Sequence, residues 1–402
     1  MTDGLNEENL ILYLLDKNLY KATPFPKELV IDYELLDTLA QTHKVAPTVY
    51  KELLEEKDAI EIPKEITFYA KKIITAAMVI HSHIKQKLRE FSELLLKNGI
   101  DFILIKGYAI DTSPLRQMND IDVLIKEEEI YKAFEILQKS GYLYVGSFVL
   151  SQKEIDNPKQ QYKWNNQYQF KVPQSQLVIE VHTNLFERDR IRTEKLDSLL
   201  DNVHLFWKYS CWDSELQCNT PVKEATLALL CMHSAIKYCP AVKLYILRQS
   251  YDIAKLLKKN IDEDYFMYLC RSWKIEYYVY FSMMLTSKIF HSQEAAQIAL
   301  QFEPLLKWSE YFLACIHLKT YRGIERTSRF YRIIYSVCMP FILGGSFFKA
   351  LRWYKERIFP PIYIQERRFC IKRTSPLIYF TYVYGPIRRI IRCIIKYSTF
   401  DF

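Results

Sequence analysis

Glycine is scarce in this sequence, with nine among 402 residues, and no GxGxxG or GxxxxGKS/T run occurs. The glycine loops that cradle a dinucleotide or wrap a P-loop phosphate are therefore missing, and those two classes lose their sequence support. The nine cysteines stand singly, without a CxxC pair, which fits reduced thiols better than a disulfide framework. His43, His81, His83, His204, His291 and His317 have no cysteine or carboxylate at metal-ligand spacing, so zinc is not expected at any of them. Long apolar runs are lacking as well. The longest uncharged stretch of the C-terminal part lies between Arg332 and Lys349 and contains Pro340 and Gly344-Gly345. It falls short of the roughly 20 residues that a spanning helix needs. The first residues lack the basic start and apolar stretch of a signal peptide, and a cytoplasmic protein is expected.

What is present is the make-up of a folded chain: 50% hydrophobic and 25% charged residues, enough length for two or three domains. The net charge of +8 is unevenly placed. Residues 322–402 hold 16 Lys/Arg against 4 Asp/Glu, a net of +12, which leaves the rest mildly acidic. A basic, aromatic-rich segment of this kind is expected to meet something anionic. An interfacial element on anionic lipid through residues 322–396 is one reading, at the inner membrane face. A single-stranded nucleic-acid patch and a plain helical subdomain are the others.

Residues 1–98 read as helical. Leu10, Leu14 and Leu15, then Leu35, Leu36 and Leu39, recur at three-to-four-residue spacing. A long helix is predicted from Glu65 to Asn98, with Gly99 as its stop. The pattern then changes. Phe102–Lys106 is a strand candidate broken by Gly107, and Ile121, Val123 and Ile125 alternate with Asp122 and Leu124. Glu127–Ser140 reads as an amphipathic helix. Tyr142–Val149, Tyr162–Val172 and Leu177–His182 read as further strands. An α+β core over 99–190 follows, then a helical domain over 191–320 that closes a cleft, clearest in Lys223–Tyr238 and Leu244–Lys258. The basic segment occupies 321–402.

The chemistry concentrates in ILIKGYAIDTSPLRQMNDIDVLI, residues 103–125. Asp120 and Asp122 lie two apart in a strand, so their carboxylates share a side. Two carboxylates so close need a cation at neutral pH. Mg²⁺ prefers such hard oxygens, with substrate phosphates completing its shell. Glu180, in LVIEVH, is the best candidate for a third carboxylate from a neighbouring strand. A lone DxD has many chance occurrences, and a polar strand edge would also explain it. Few folds, however, require a strand, a glycine turn, a short helix, DhD and a later strand carboxylate in that order.

This order resembles the polymerase-β-like nucleotidyltransferases. More closely, the chain is similar to the bacterial uncharacterised nucleotidyltransferase family, through Ile105-Lys106-Gly107, Arg116, Asp120-Ile121-Asp122-Val123-Leu124-Ile125 and Ile179-Glu180-Val181-His182. HKVAPTVY ending at Tyr50, MHSAIKY with His233 and Lys237, DIAKLL with Asp252, and the late YFTYVYGPIRRIIR extend the likeness. The resemblance implies a polymerase-β-like core between helical regions. It also implies transfer of a nucleoside monophosphate from a nucleoside triphosphate, with Mg²⁺ or Mn²⁺ held by Asp120, Asp122 and Glu180. Lys106, Gly107 and Arg116 would then hold phosphates, and His182, His233, Lys237 and Asp252 would contact substrate or orient the site. Surface-polysaccharide or natural-product pathways are implied for the acceptor. A toxin- or antitoxin-type enzyme modifying protein or transfer RNA is an alternative, as is a non-catalytic scaffold. The chain departs from the superfamily at the turn, where Lys106-Gly107-Tyr108 replaces the usual Gly-Ser or Gly-Gly.

Overall fold

A computed structural model describes residues 5–17, 19–21, 23, 30–145, 167–185, 203–237 and 246–319, with scattered positions between 334 and 385. The chain divides into two compact units. The first reaches to about residue 336 and contains every element named below; the second is chiefly residues 337–402.

The sheet is sorted by alternation. Ile121, Val123 and Ile125 of β2 (Asp120–Ile125) share one buried cluster with Phe102 and Leu104 of β1 (Phe102–Leu104). Tyr168 and Phe170 of β4 (Gln167–Lys171), with Ile179 and Val181 of β5 (Val178–His182), join the same cluster. Period-two geometry therefore sends Asp120, Asp122, Glu180, His182, Gln167 and Gln169 to the opposite face. Two helices cover the apolar face. α4 (Lys64–Lys97) contributes Ile84, Leu88, Phe91 and Leu95, a spacing of four, three and four that keeps one stripe on the sheet. Phe91 meets Phe102 edge-on at 5.4 Å between ring centroids. α5 (Ile130–Lys139) buries Ile130, Ala133, Phe134 and Leu137, and Phe134 stands against Phe170 at 4.7 Å. The predicted long helix is present, and Gly99 after it has φ +65, a left-handed conformation that glycine adopts without strain.

With β3 (Leu143–Tyr144), β6 (Ser210–Asp213) and β7 (Cys218–Pro221), the sheet has seven strands among the described residues, in the order β3-β4-β5-β2-β1-β7-β6. β2 runs parallel to β5 and antiparallel to β1, and β7 runs parallel to β1. Two features differ from the sequence reading. β3 is only Leu143–Tyr144, while residues 146–166, which include the rest of that predicted strand and the start of the next, lie outside the described residues. The sheet also continues beyond residue 190. After α6 (Val203–Lys208), β6 (Ser210–Asp213) and β7 (Cys218–Pro221) form a hairpin that completes it in a region expected to be helical. Four-residue strands, SCWD and CNTP, are too short for alternation to register. Pairing with β1 decides their state, together with burial of Leu216 and Cys218 in the sheet core.

The remainder is helical. α1 (Leu5–Asp16), α2 (Tyr33–Thr42) and α3 (Ala46–Glu55) precede α4, with Asp32 capping α2 through the amides of Glu34 and Leu35. After the sheet come α7 (Lys223–Lys237), α8 (Ile246–Leu257), α9 (Glu263–Ser272), α10 (Glu276–Phe290), α11 (Gln293–Phe302) and α12 (Trp308–Lys319). α10 is buried on nearly every side and is the axis of this helical layer. The expected α+β architecture, a mixed sheet between helical regions, is thus present. Among the described residues no helix is long and apolar enough to cross a membrane.

Candidate active site

Register builds the acidic centre. β2 and β5 are parallel neighbours, and their pairing sets Asp122 directly beside Glu180, with Asp120 beside Val178 and Leu124 beside His182. Ligand atoms of Asp122, Glu180 and His182 lie within 4.8 Å of one another. His182 Nε2 is 2.9 Å from Asp122 Oδ1. Burial lowers the His182 pKa, so the ring is neutral at pH 7, and a neutral imidazole meets a carboxylate by donating its N–H.

Charge in this pocket is finely divided. Burial alone would raise Asp122, but the Lys106 ammonium at 2.6 Å and the bond from His182 hold it well below the usual carboxylate range. Glu180 goes the other way. Burial, followed by the charge of Asp122, pushes it up to about 7. Its two oxygens accept from the side-chain amides of Gln169, at 2.7 Å, and Gln167. The two carboxylates thus differ because Asp122 has a cation beside it and Glu180 has only neutral donors.

Asp120 opens β2, is exposed, and lines the same cleft. That cleft lies between the polar face of the sheet and α7 and α8, with about 810 Å³ of open space, its solvent-filled mouth included. Thr226, Leu229 and His233 form the α7 wall, and Arg248, Gln249 and Asp252 the α8 wall. His233 Nδ1 is 3.1 Å from the Gln249 amide. Lys237 is the last residue of α7, and its side chain lies outside the described residues.

The segment after Lys106 carries the turn. Gly107 has φ +64, and a Cβ there would stand 3.3 Å from Met118 Sδ. The short helix that follows is a single 3-10 turn, Gly107–Ala109. Tyr108, at the position of the superfamily's small residue, is buried against α4. Its hydroxyl donates to the His81 carbonyl and its ring lies 4.6 Å from that imidazole. Arg116 is buried and committed to Asp252, through Nη2 at 2.9 Å and Nε at 3.3 Å. Lys255 to Asp111 at 2.5 Å, and Arg248 to the Gln117 carbonyl at 3.3 Å, fasten the same segment to α8.

The structure therefore brings Lys106, Gly107, Arg116, Asp120, Asp122, Glu180, His233 and Asp252 to one cleft, with His182 behind Asp122. Reading the sequence for site residues missed Gln167, Gln169, Lys44, Arg248 and Gln249. Alternation of the two glutamines with Tyr168 and Phe170 could have placed them on Glu180's face. Arg248 and Gln249 carry no comparable signal.

The site fits a divalent cation: two carboxylates at mutual reach, His182 donating to one of them, a third carboxylate at the rim, and crowded negative charge that a cation would relieve. A sheet that presents DxD on one strand and a carboxylate beside it on the parallel neighbour, under a helical layer, defines a nucleotidyltransferase core. A model of the family described as uncharacterised nucleotidyltransferase matches residues 30–291, well over half of the chain, and the chain belongs to that family. No curated protein and no solved structure matches it.

Proposed function

We propose that the protein transfers a nucleoside monophosphate from a nucleoside triphosphate to a small hydroxyl-bearing acceptor, a sugar or a peptide. The observation that carries this is the Asp122–Glu180 register, which brings two carboxylates together on the cleft floor with His182 behind Asp122. Asp120, Asp122 and Glu180 would hold Mg²⁺ or Mn²⁺, which when bound supplies charge neutralisation at the reacting phosphate. An acceptor oxygen forms its bond to the α-phosphorus, the bond from that phosphorus to the bridging oxygen breaks, and pyrophosphate leaves with the electron pair. Glu180, on the acceptor side of the cation, would take the acceptor's proton. His182 orients Asp122. Lys106, paired with Asp122 at 2.6 Å beside Gly107, would reach a phosphate only by leaving that carboxylate. Arg116 acts through Asp252, holding the 107–118 segment against α8.

Calorimetric titration of the full chain with each nucleoside triphosphate and Mg²⁺ tests this. Binding of at least one triphosphate is expected, and Asp122→Asn should abolish it. Silence with all of them would leave the second reading, a non-catalytic protein that keeps the fold. The Lys106–Asp122 pair at 2.6 Å favours that reading, since a side-chain cation already neutralises Asp122.

The basic segment is proposed as a peripheral contact with anionic membrane. Phe347, Phe348, Tyr379 and Phe380 are all exposed there, in a stretch of net charge +12. Uncovered aromatics in a sequence rich in Lys and Arg are what an interfacial element needs.

A further inference from the structure

The strand formers of QYQFK, Tyr168 and Phe170, fill the sheet core, and Gln167 and Gln169 alternate with them on the face of the acidic centre. β4 runs antiparallel to β5, and their register sets Gln169 directly across from Glu180 and Gln167 across from His182. Gln167 is therefore the diagonal neighbour of Glu180, a separation that a long side chain spans. Both glutamines reach the same group. Gln169 Nε2 donates to Glu180 Oε1 at 2.7 Å, and Gln167 Nε2 donates to Glu180 Oε2.

An ordinary solvated strand face does not account for this. Fixing two glutamine side chains costs rotamer freedom, yet both converge on one carboxyl group. Among the described residues that carboxyl lines the cleft and neither glutamine does, so their effect on the cleft passes through Glu180. The donors are also neutral. Asp122, one strand away, has an ammonium at 2.6 Å, which holds it and offsets its charge. Two amides hold a carboxylate without offsetting its charge, and each oxygen keeps a further lone pair.

Resting on the nucleotidyl-transfer reading, we propose that Gln167 and Gln169 are positioning residues that fix the Glu180 carboxylate as a cation ligand while leaving its negative charge intact. A lysine or arginine at either place would hold the carboxylate as firmly and compete with the incoming cation. Glutamine is the donor that does the first without the second.

The test follows Mn²⁺ binding to the full chain by electron paramagnetic resonance, with Mn²⁺ alone and with each ribonucleoside triphosphate. Gln167→Met combined with Gln169→Met keeps the side-chain length and removes both donors. It should weaken Mn²⁺ binding roughly 10–100-fold, the usual effect of losing the outer partners of a metal ligand. Gln169→Lys keeps a donor on Glu180 but adds a positive charge. Its melting temperature should stay at or above that of wild type while Mn²⁺ affinity falls by a comparable factor. Stability and cation affinity then move apart, which loss of a merely structural contact does not produce. Should the double variant fail to fold, Gln169→Lys decides alone. Wild-type Mn²⁺ affinity in either folded variant overturns the positioning role and leaves nucleotidyl transfer standing. Failure of wild type to bind Mn²⁺, alone or with any triphosphate, overturns both together.

Discussion

At Gly107 the backbone is left-handed and Met118 Sδ crowds the place of a side chain, so alanine meets both a conformational and a steric penalty. Gly107→Ala should lower stability by about 1–2 kcal/mol in urea titration. It should also weaken triphosphate binding, because the turn beside Lys106 must shift. His43 makes a different prediction. It is buried, its Nδ1 has no hydrogen-bond partner among the described residues, and burial pushes its pKa down to about 4. The unfolded chain, with an ordinary histidine near 6.5, therefore binds more protons than the folded one between these values. The stability involved is fully present above pH 6.5 and is lost as pH falls toward 4. Urea midpoints at pH 7 and pH 5 should differ more for wild type than for His43→Leu, and equal differences would refute the assignment.

At the scale of elements, α8 and the 107–118 segment act as one piece. Arg116–Asp252 is a buried ion pair, and Lys255–Asp111 and Arg248 on the Gln117 carbonyl flank it. Removing one partner leaves an uncompensated buried charge, at a cost of about 3–5 kcal/mol, whereas replacing both with apolar residues is often close to neutral. Arg116→Ala or Asp252→Ala should each lower the unfolding free energy by that amount, while Arg116→Met with Asp252→Leu should recover most of it. Should the double variant be no more stable than the singles, an uncompensated buried charge is not what the single variants cost. Because this segment leads from Gly107 to Asp120, slack in it would reach the proposed phosphate and metal ends of the cleft together.

At the scale of the whole molecule, the positive charge is concentrated in the last stretch of the chain. Residues 322–402 carry a net +12, and Phe348, Tyr379 and Phe380 there are 80%, 66% and 68% exposed. Flotation on anionic liposomes should recover the full chain, and a chain ending at residue 321 should stay behind. Partition should weaken with added salt and on zwitterionic vesicles, since the attraction is partly electrostatic. Equal flotation of the two chains would remove the membrane proposal without touching the cleft.

The sequence by itself determined what repeats or alternates locally. The α4 stripe, the faces of β2 and β5, the α7 and α8 segments and the sharing of a side by Asp120 and Asp122 all follow from periods of 3.6 and 2. Glu180 could be chosen because it breaks an apolar alternation. Only the tertiary structure decided which strands are neighbours, and that needs pairings between residues far apart in the chain. Asp122 beside Glu180, the β6–β7 hairpin and the approach of Gln167 and Gln169 belong to that group. So do the pairing of Arg116 with Asp252 across 136 residues and the arrival of Lys44 and Arg248 at one cleft. Periodicity tells a side chain which way to face. What it faces is set by packing and by the need of buried charges for partners, and no local pattern contains that.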